Sequence, residues 1–387
     1  MTTFIHTADW HLGKPFHGIE DDQKRALVQQ ERLAAIRRIG ELVRERQAAF
    51  VVVAGDNFDS PQATNATISA ALGAIGSLEV PVYMIPGNHD HAGPGTLWSS
   101  DFFVREAAAL APNLVLLLTS EPVLRDDAVI LPCPLQRKFE AEDPTAWIRG
   151  LDMAGCGDRP RIVLAHGGTV SFDQPHDEEE PSSPTRHIDL ELLATDSIDY
   201  IALGDYHGLM QAGTKAWYSG SHEIDRFPKA GQQPGHVACV TVSRGASPRV
   251  EPVLTGGFRW IVHEITLGED TSRFDDELAA MAPVAACDRV LVSLVLRGSV
   301  SLAARAEVDR MIETWTARLC RLKLDDQLTI APTDAEIDML AAQGDDPIIA
   351  GVAASLRDQL GNAGDDGTAA EALRILYQLC QAEGARA

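Results

Sequence analysis

Phe50-Val51-Val52-Val53-Ala54-Gly55-Asp56-Asn57-Phe58-Asp59 is the stretch on which the fold turns. Its first five residues are apolar throughout, without the alternation of a half-exposed strand, so they suit a strand covered on both faces. The run stops at Gly55, and an acidic residue follows at once. Upstream, residues 4–7 read as a strand that leads into Asp9-Trp10-His11. Between the two, residues 21–47 read as an amphipathic helix with Leu33, Ile36, Ile39 and Val43 on one face. Downstream, residues 64–78 suit a second helix, and residues 82–85 a strand that runs into Gly87-Asn88-His89-Asp90. Residues 114–118, 128–131, 162–165, 200–203 and 236–242 continue the series of strands. Strands alternating with helices predict an α/β architecture with buried sheets.

Five short polar segments each follow one of these runs. They are Asp9-Trp10-His11, Gly55 to Asp59, Gly87 to Asp90, Ala165-His166-Gly167-Gly168 and Gly204-Asp205-Tyr206-His207. Strand ends are where α/β folds gather functional side chains in one crevice. Carboxylate, imidazole and amide oxygen are borderline-to-hard donors suited to Mn, Fe or Zn. No cysteine lies in any segment, which argues against a structural zinc site. Asp9 and His11, two apart on an extended chain, can face the same way. Asp56 could bridge two metals, and a pair roughly 3.5–4 Å apart suits in-line phosphoryl displacement. Taken singly the signals are weak. His6 and His263 read as core histidines, Asp59 as a turn-bonding carboxylate, and His91 and His187 as weaker candidates still. The five together, in this order, point to a dinuclear metal site.

The arrangement resembles the calcineurin-type metallophosphoesterase signature, which reads DxH, GDxxD, GNHD or GNHE, a later histidine, and GHxH. Within that family the chain resembles the SbcD-type nuclease branch. The opening stretch His6-Thr7-Ala8-Asp9-Trp10-His11-Leu12-Gly13-Lys14 carries this likeness. So do Tyr218-Ser219-Gly220-Ser221 with Arg226-Phe227, then Phe258-Arg259-Trp260, and the run from Leu296 to Leu302. The likeness spans about residues 1–300 and is loose beyond. It implies a four-layer αββα metallophosphoesterase sandwich with a smaller C-terminal α+β capping domain. It further implies that Asp9, His11, Asp56 and His207 hold one metal, and Asp56, Asn88, His166 and Asp205 the other. His89 becomes the catalytic histidine, with Asp90 orienting it. Lys14, His17, His222 and Arg226 are either substrate-phosphate contacts or ordinary surface residues. One departure stands out: this chain has Asp205 where the family has the first histidine of GHxH. An added carboxylate predicts a preference for Mn or Mg-like ions over zinc, with Mn2+ the expected metal and Mg2+, Fe or Zn as alternatives.

Thr255-Gly256-Gly257 predicts a boundary between a catalytic domain, residues 1–256, and a capping domain, residues 257–387. In the second part, residues 260–267 and 290–296 read as strands, and 301–322 and 368–380 as helices. The acidic, proline- and serine-rich stretch 171–187 predicts a surface loop, and 344–346 and 361–367 turn-rich linkers. No apolar run approaches the roughly 20 residues of a membrane span, and the N-terminus lacks the pattern of a signal peptide. Six scattered cysteines without a CxxC pair suit a reduced, cytoplasmic protein.

A net charge of −23 argues against tight DNA binding by this chain alone, because non-specific affinity comes from Lys and Arg on phosphates. There is no GxxxxGK[ST] and no GxSxG. The resemblance nevertheless implies a metal-dependent DNA exo- or endonuclease acting in repair or defence. The resemblance supplies a partner, an SbcC-like coiled-coil ATPase that grips a C-terminal helix, and a possible homodimer. The alternatives are a small-molecule phosphodiesterase or phosphatase on the same scaffold, and a non-catalytic subunit.

Overall fold

Residues 51–54 do form a strand, and its two faces serve two different cores. Val51 and Val53 pack with the helices of one layer, while Val52 and Ala54 face a second sheet. All four are buried, which is why the stretch reads as a continuous apolar run. The computed structural model describes residues 1–140, 142–169, 187–193, 197–342, 347–360 and 367–384. The acidic stretch 171–186 and the linkers 344–346 and 361–366 lie outside the described residues.

The chain divides into two compact units, Met1–Phe258 and Arg259–Ala387. The Gly256-Gly257 pair belongs to the first. The backbone N–H groups of Gly257 and Phe258 both donate to the buried Glu223 carboxylate, at 2.6 and 3.2 Å.

The first unit contains strands β1 (Thr2–Thr7), β2 (Val51–Ala54), β3 (Val82–Ile85), β4 (Leu114–Leu116), β5 (Val123–Leu124), β6 (Val129–Cys133) and β7 (Arg161–His166). It continues with β8 (Gly168–Thr169), β9 (His187–Ile188), β10 (Tyr200–Gly204), β11 (Met210–Gln211), β12 (Ala216–Tyr218), β13 (His236–Val242) and β14 (Arg249–Leu254). Its helices are α1 (Asp22–Arg46), α2 (Asn65–Gly76), α3 (Asp101–Leu110) and the single turn α4 (Leu190–Leu193).

One six-stranded sheet has the order β14-β13-β1-β2-β3-β4, and the other β11-β12-β10-β7-β6-β5; β8 and β9 pair separately. β1 to β4 run parallel, as do β6, β7, β10 and β12. The carboxyl ends of β1, β2 and β3 therefore share one edge of their sheet, and those of β7 and β10 one edge of theirs. The sheets face each other across Phe4, Phe50, Val52 and Ile85 on one side and Ile130, Ile162, Leu164 and Tyr200 on the other. Phe4 and Phe50 stack at 5.0 Å, and Tyr200 meets Phe4 edge-on at 5.6 Å. Truncating Phe50 to alanine would destabilise this interior by about 3–5 kcal/mol.

The outer face of the first sheet packs on α1, α2 and α3 through Ile36, Ile39, Ile68, Leu72 and Phe103. Asp21 caps α1 by accepting from Gln23 N and Lys24 N, and Thr64 caps α2 by accepting from Thr67 N. The outer face of the second sheet is covered by Ile148, Cys156, Leu193 and Ile198. The result is a mixed α/β sandwich with sheets between helical layers.

The second unit runs β15 (Arg259–Leu267), α5 (Ser272–Met281), β16 (Val290–Val300), α6 (Leu302–Arg318), β17 (Arg321–Ile330), then α7 (Asp334–Ala341), α8 (Pro347–Gln359) and α9 (Thr368–Gly384). Its three strands are parallel, in the order β15-β16-β17. The helix expected to reach Leu322 stops at Arg318, and a ten-residue strand takes over. Leu319 and Leu322 continue the helical spacing of Val308, Met311 and Trp315. Leu322, Leu324, Leu328 and Ile330 instead keep the two-residue period of β17, interrupted in sequence by Asp325-Asp326. The apolar stripe of α6 faces inward. Val308, Trp315 and Leu319 are buried in this unit's own core. On α9, Leu373 is buried but Ile375 and Leu379 are 48% and 60% exposed. Among the described residues no helix is long and apolar enough to cross a membrane.

Candidate metal centre

The five polar segments begin where β1, β2, β3, β7 and β10 end, and the first two are joined by their backbones. Asp9 N donates to Gly55 O (3.1 Å), His11 N to Asp56 O (2.9 Å) and Leu12 N to Asn57 O (2.9 Å). Asp9, His11 and Asp56 adopt left-handed backbone, with φ of 53°, 39° and 50°, and Asp205 has φ 105°. Such conformations are unfavourable for residues with a side chain and persist only where surrounding bonds impose them. They turn the side chains back across the strand ends. Gly87 serves the same convergence, since a side chain there would enter the space of the Asp56 carboxylate.

The imidazoles share one design: Nδ1 rests on an oxygen behind the ring. His166 Nδ1 is 2.8 Å from Ala54 O, His207 Nδ1 3.0 Å from Asp225 Oδ1, and His89 Nδ1 3.0 Å from Asp59 O. His11 Nδ1 is 3.4 Å from Asp59 Oδ1. The Nε2 atoms face inward. Those of His11 and His207 are 3.3 Å apart, and His11 Nε2 is 3.7 Å from Asp56 Oδ2. His166 Nε2 lies 2.9 Å from Asn88 Oδ1, 3.4 Å from Asp56 Oδ2 and 3.7 Å from Asp205 Oδ1. Asp9 accepts from Asp205 N at 3.0 Å, and its Oδ1 lies 3.9 Å from His166 Nδ1.

Electrostatics set these groups against one another. Burial pushes the Asp9 carboxyl up to about 6, with His207 and His166 pulling against it. Burial depresses His11 to about 3, offset in part by Asp59 and Asp56. At His166 burial works downward too, but Asp56, Asp205 and Asp9 outweigh it and raise the imidazole to about 10. Burial opposes ionisation of Asp56, yet His166, His89 and His11 hold it well below its ordinary value.

With each Nδ1 facing an oxygen, the Nε2 atoms of His11 and His207 set two lone pairs against each other at 3.3 Å, a contact that a cation between them would reconcile. Among the described residues, close donor groups are Asp9, His11 and His207; His11, Asp56 and His89; and Asp9, Asp56 and His166. The nitrogen and oxygen donors, without a thiolate, fit divalent ions. Asp9, His11 and Asp56 each belong to two of the groups, so these three residues tie the cluster together.

Not every expected residue sits where the sequence put it. Asp90 does not orient His89. Its carboxylate accepts from Gly87 N (2.7 Å), Asn57 N (2.8 Å), Asn57 Nδ2 (2.9 Å) and Phe58 N (3.0 Å). It ties two loops together, and the Asp59 carbonyl holds the His89 ring instead. Asp59 is more than a turn residue, since its carboxylate also lies beside His11. His222 is buried, bonds the Arg32 carbonyl at 2.8 Å and cannot reach substrate. His17 lines a cavity of about 610 Å³ with Leu12, Gln30, Leu33 and Thr67, whose lining includes none of the clustered donors. Lys14 donates to Asp225 Oδ2 at 2.8 Å, and Arg226 Nη2 lies 3.5 Å from His207 Nε2. His6 is buried against Tyr200 and Leu203 O, as a core histidine should be. His263 is a half-exposed partner of Glu277 rather than a core residue.

Two residues the sequence reading passed over complete the site. Asp225 joins His207, Lys14 and Arg226. Buried Arg32 of α1 donates to the carbonyls of Asp9, Trp10 and Glu223. An acidic residue next to Arg226 was the one visible signal for Asp225. Arg32 had none, being a charged residue on the buried, mainly apolar face of α1.

A family model described as calcineurin-like phosphoesterase matches residues 2–236. Among solved structures, a crystal structure of TT1561 from Thermus thermophilus aligns at a TM-score of 0.41 and 14% identity, over 66% of this chain and 99% of that one. A second solved structure aligns at a TM-score of 0.38 and 13% identity, over 64% of this chain and 98% of that one.

Proposed function

Because this chain belongs to the calcineurin-like phosphoesterase family, whose members hydrolyse phosphoesters with divalent metals, we propose that it cleaves phosphodiester bonds in DNA as an SbcD-type nuclease. The observation that carries the hydrolytic reading is the convergence of Asp9, His11, Asp56, His166 and His207 at the ends of four parallel strands. The choice of DNA rests on the opening stretch His6 to Lys14 and on the presence of a second unit.

Asp9, His11, Asp56 and His207 would hold one ion, and Asp56, Asn88, His166 and Asp205 the other, with Asp9 at hand for both. Bound there, the pair would supply Lewis acidity to the phosphoryl oxygen and an acidified water. The remaining work belongs to side chains. His89, its Nδ1 fixed by the Asp59 carbonyl, presents Nε2 as the atom that protonates the leaving oxygen. Lys14 and Arg226, each about a fifth exposed, place positive charge beside His207 for the substrate's phosphate oxygens. The extra carboxylate of Asp205 favours Mn2+ or Mg2+ over zinc.

Scattered cysteines without a CxxC pair suit a cytoplasmic setting. An SbcC-like ATPase would supply DNA affinity that a chain of net charge −23 lacks, gripping α9 at Ile375 and Leu379. The same acidity is what favours a second reading, a small-molecule diester as substrate. The test is incubation with Mn2+ and end-labelled single- and double-stranded DNA, beside bis-p-nitrophenyl phosphate, with and without the ATPase. Degradation of DNA is expected. Turnover of the chromogenic diester alone under all conditions selects the second reading. His89→Gln should keep its metal and lose about 100-fold or more in turnover.

A further inference from the structure

We propose that Asp225 is a positioning residue of the metal centre, acting through His207 and braced by Lys14. Its carboxylate is fully enclosed and divides its two oxygens between different tasks. Oδ1 takes the His207 Nδ1–H at 3.0 Å, and Arg226 Nε lies 3.4 Å from the same atom. Oδ2 takes the Lys14 ammonium at 2.8 Å. These residues come from separate loops: Lys14 follows β1, His207 follows β10, and Asp225 follows β12.

The arrangement has two consequences. A carboxylate on Nδ1 commits the ring proton there, so Nε2 keeps its lone pair and faces His11 Nε2 across 3.3 Å. The Lys14 bridge then stops the carboxylate swinging away, because Lys14 N is itself bonded to His11 O at 3.1 Å. The Asp225 loop is anchored independently, by Ser221 N on His207 O (3.1 Å) and by Arg32 on Glu223 O (3.1 Å). Asp225 is thus the point where the β1 segment, the β10 segment and this loop are brought into register, and a cation on His207 depends on it.

An ordinary buried ion pair would affect stability alone, and the effect on metal separates the two roles. This inference rests on the reading of His207 as a ligand, but not on the identity of the substrate. The experiment is calorimetric titration of metal-free full-length protein with Mn2+, for the wild type, Asp225→Asn, Asp225→Glu and Lys14→Met. In Asp225→Asn, one of two Mn2+ equivalents should weaken by about 10–100-fold while the other is unchanged. Asp225→Glu should recover part of the loss, and Lys14→Met should shift the same equivalent by a few-fold. Hydrolysis of bis-p-nitrophenyl phosphate by Asp225→Asn should fall at low Mn2+ and return as Mn2+ is raised. Wild-type Mn2+ affinity in Asp225→Asn overturns the proposal. If that variant does not fold, wild-type affinity in both Asp225→Glu and Lys14→Met overturns it. Weakened metal binding without turnover of any diester leaves this inference standing and removes the nuclease reading.

Discussion

In the first unit Asp9, Asp56, Asp90 and His166 are shut away from solvent at the strand ends. In the second, ionisable groups meet at the surface: Arg273 with Glu277, Arg297 with Glu264, and Arg357 with Asp338. Both units rest on parallel strands and apolar cores, so the difference does not come from fold class. Exposed pairs contribute roughly 0–1 kcal/mol each and need no fixed geometry. Buried like charges are unfavourable unless something compensates them. The first unit holds such charges on left-handed or otherwise positive-φ backbone at Asp9, Asp56 and Asp205, a cost that surrounding bonds must impose.

That contrast can be broken by exchanging the consequences of mutation between the units. Asp56→Ala removes the carboxylate shared between donor groups, and should reduce diester turnover by about 1,000-fold or more, a barrier increase of roughly 4 kcal/mol. Metal content after dialysis should fall with it. Trp315→Ala empties the core of the second unit and should lower stability by about 3–5 kcal/mol in thermal or denaturant unfolding. Its Mn2+ titration should match the wild type, and a loss of metal there would erase the distinction drawn above. Asp205→His restores the nitrogen donor typical of the family. It should shift the ratio of zinc to manganese affinity toward zinc by about tenfold, read by competition titration. Arg357→Ala removes an exposed pair with Asp338 and should change unfolding free energy by less than about 1 kcal/mol.

Most of the candidate cluster was legible in the sequence because each of its donors sits in a short contiguous motif behind an apolar run. Asp9-Trp10-His11, Gly55-Asp56 and Asn88-His89 bring their own local geometry, and parallel strands bring the motifs to one edge. What escaped were residues whose role depends on partners far along the chain. Asp225 meets Lys14 across 211 positions, and Arg32 meets Glu223 across 191. Asp90 looked like the partner of its neighbour His89, yet its carboxylate is taken by N–H groups of Gly87, Asn57 and Phe58. In the second unit β17 was hidden because Asp325-Asp326 interrupt its alternation, while Leu319 and Leu322 prolong a helical one. α3 was missed for another reason: Phe103 is its one buried residue, so no apolar stripe marks it.

The amino-acid order alone determined the architecture of the first unit, the donor types and the family, since periodicity and short motifs are local properties. The three-dimensional structure alone decided which oxygen stands behind each imidazole and where Lys14, His17 and His222 go. It alone showed that one carboxylate, Asp225, links three loops. Hydrogen bonds act over about 3 Å in space whatever the separation along the chain, and no local pattern encodes them.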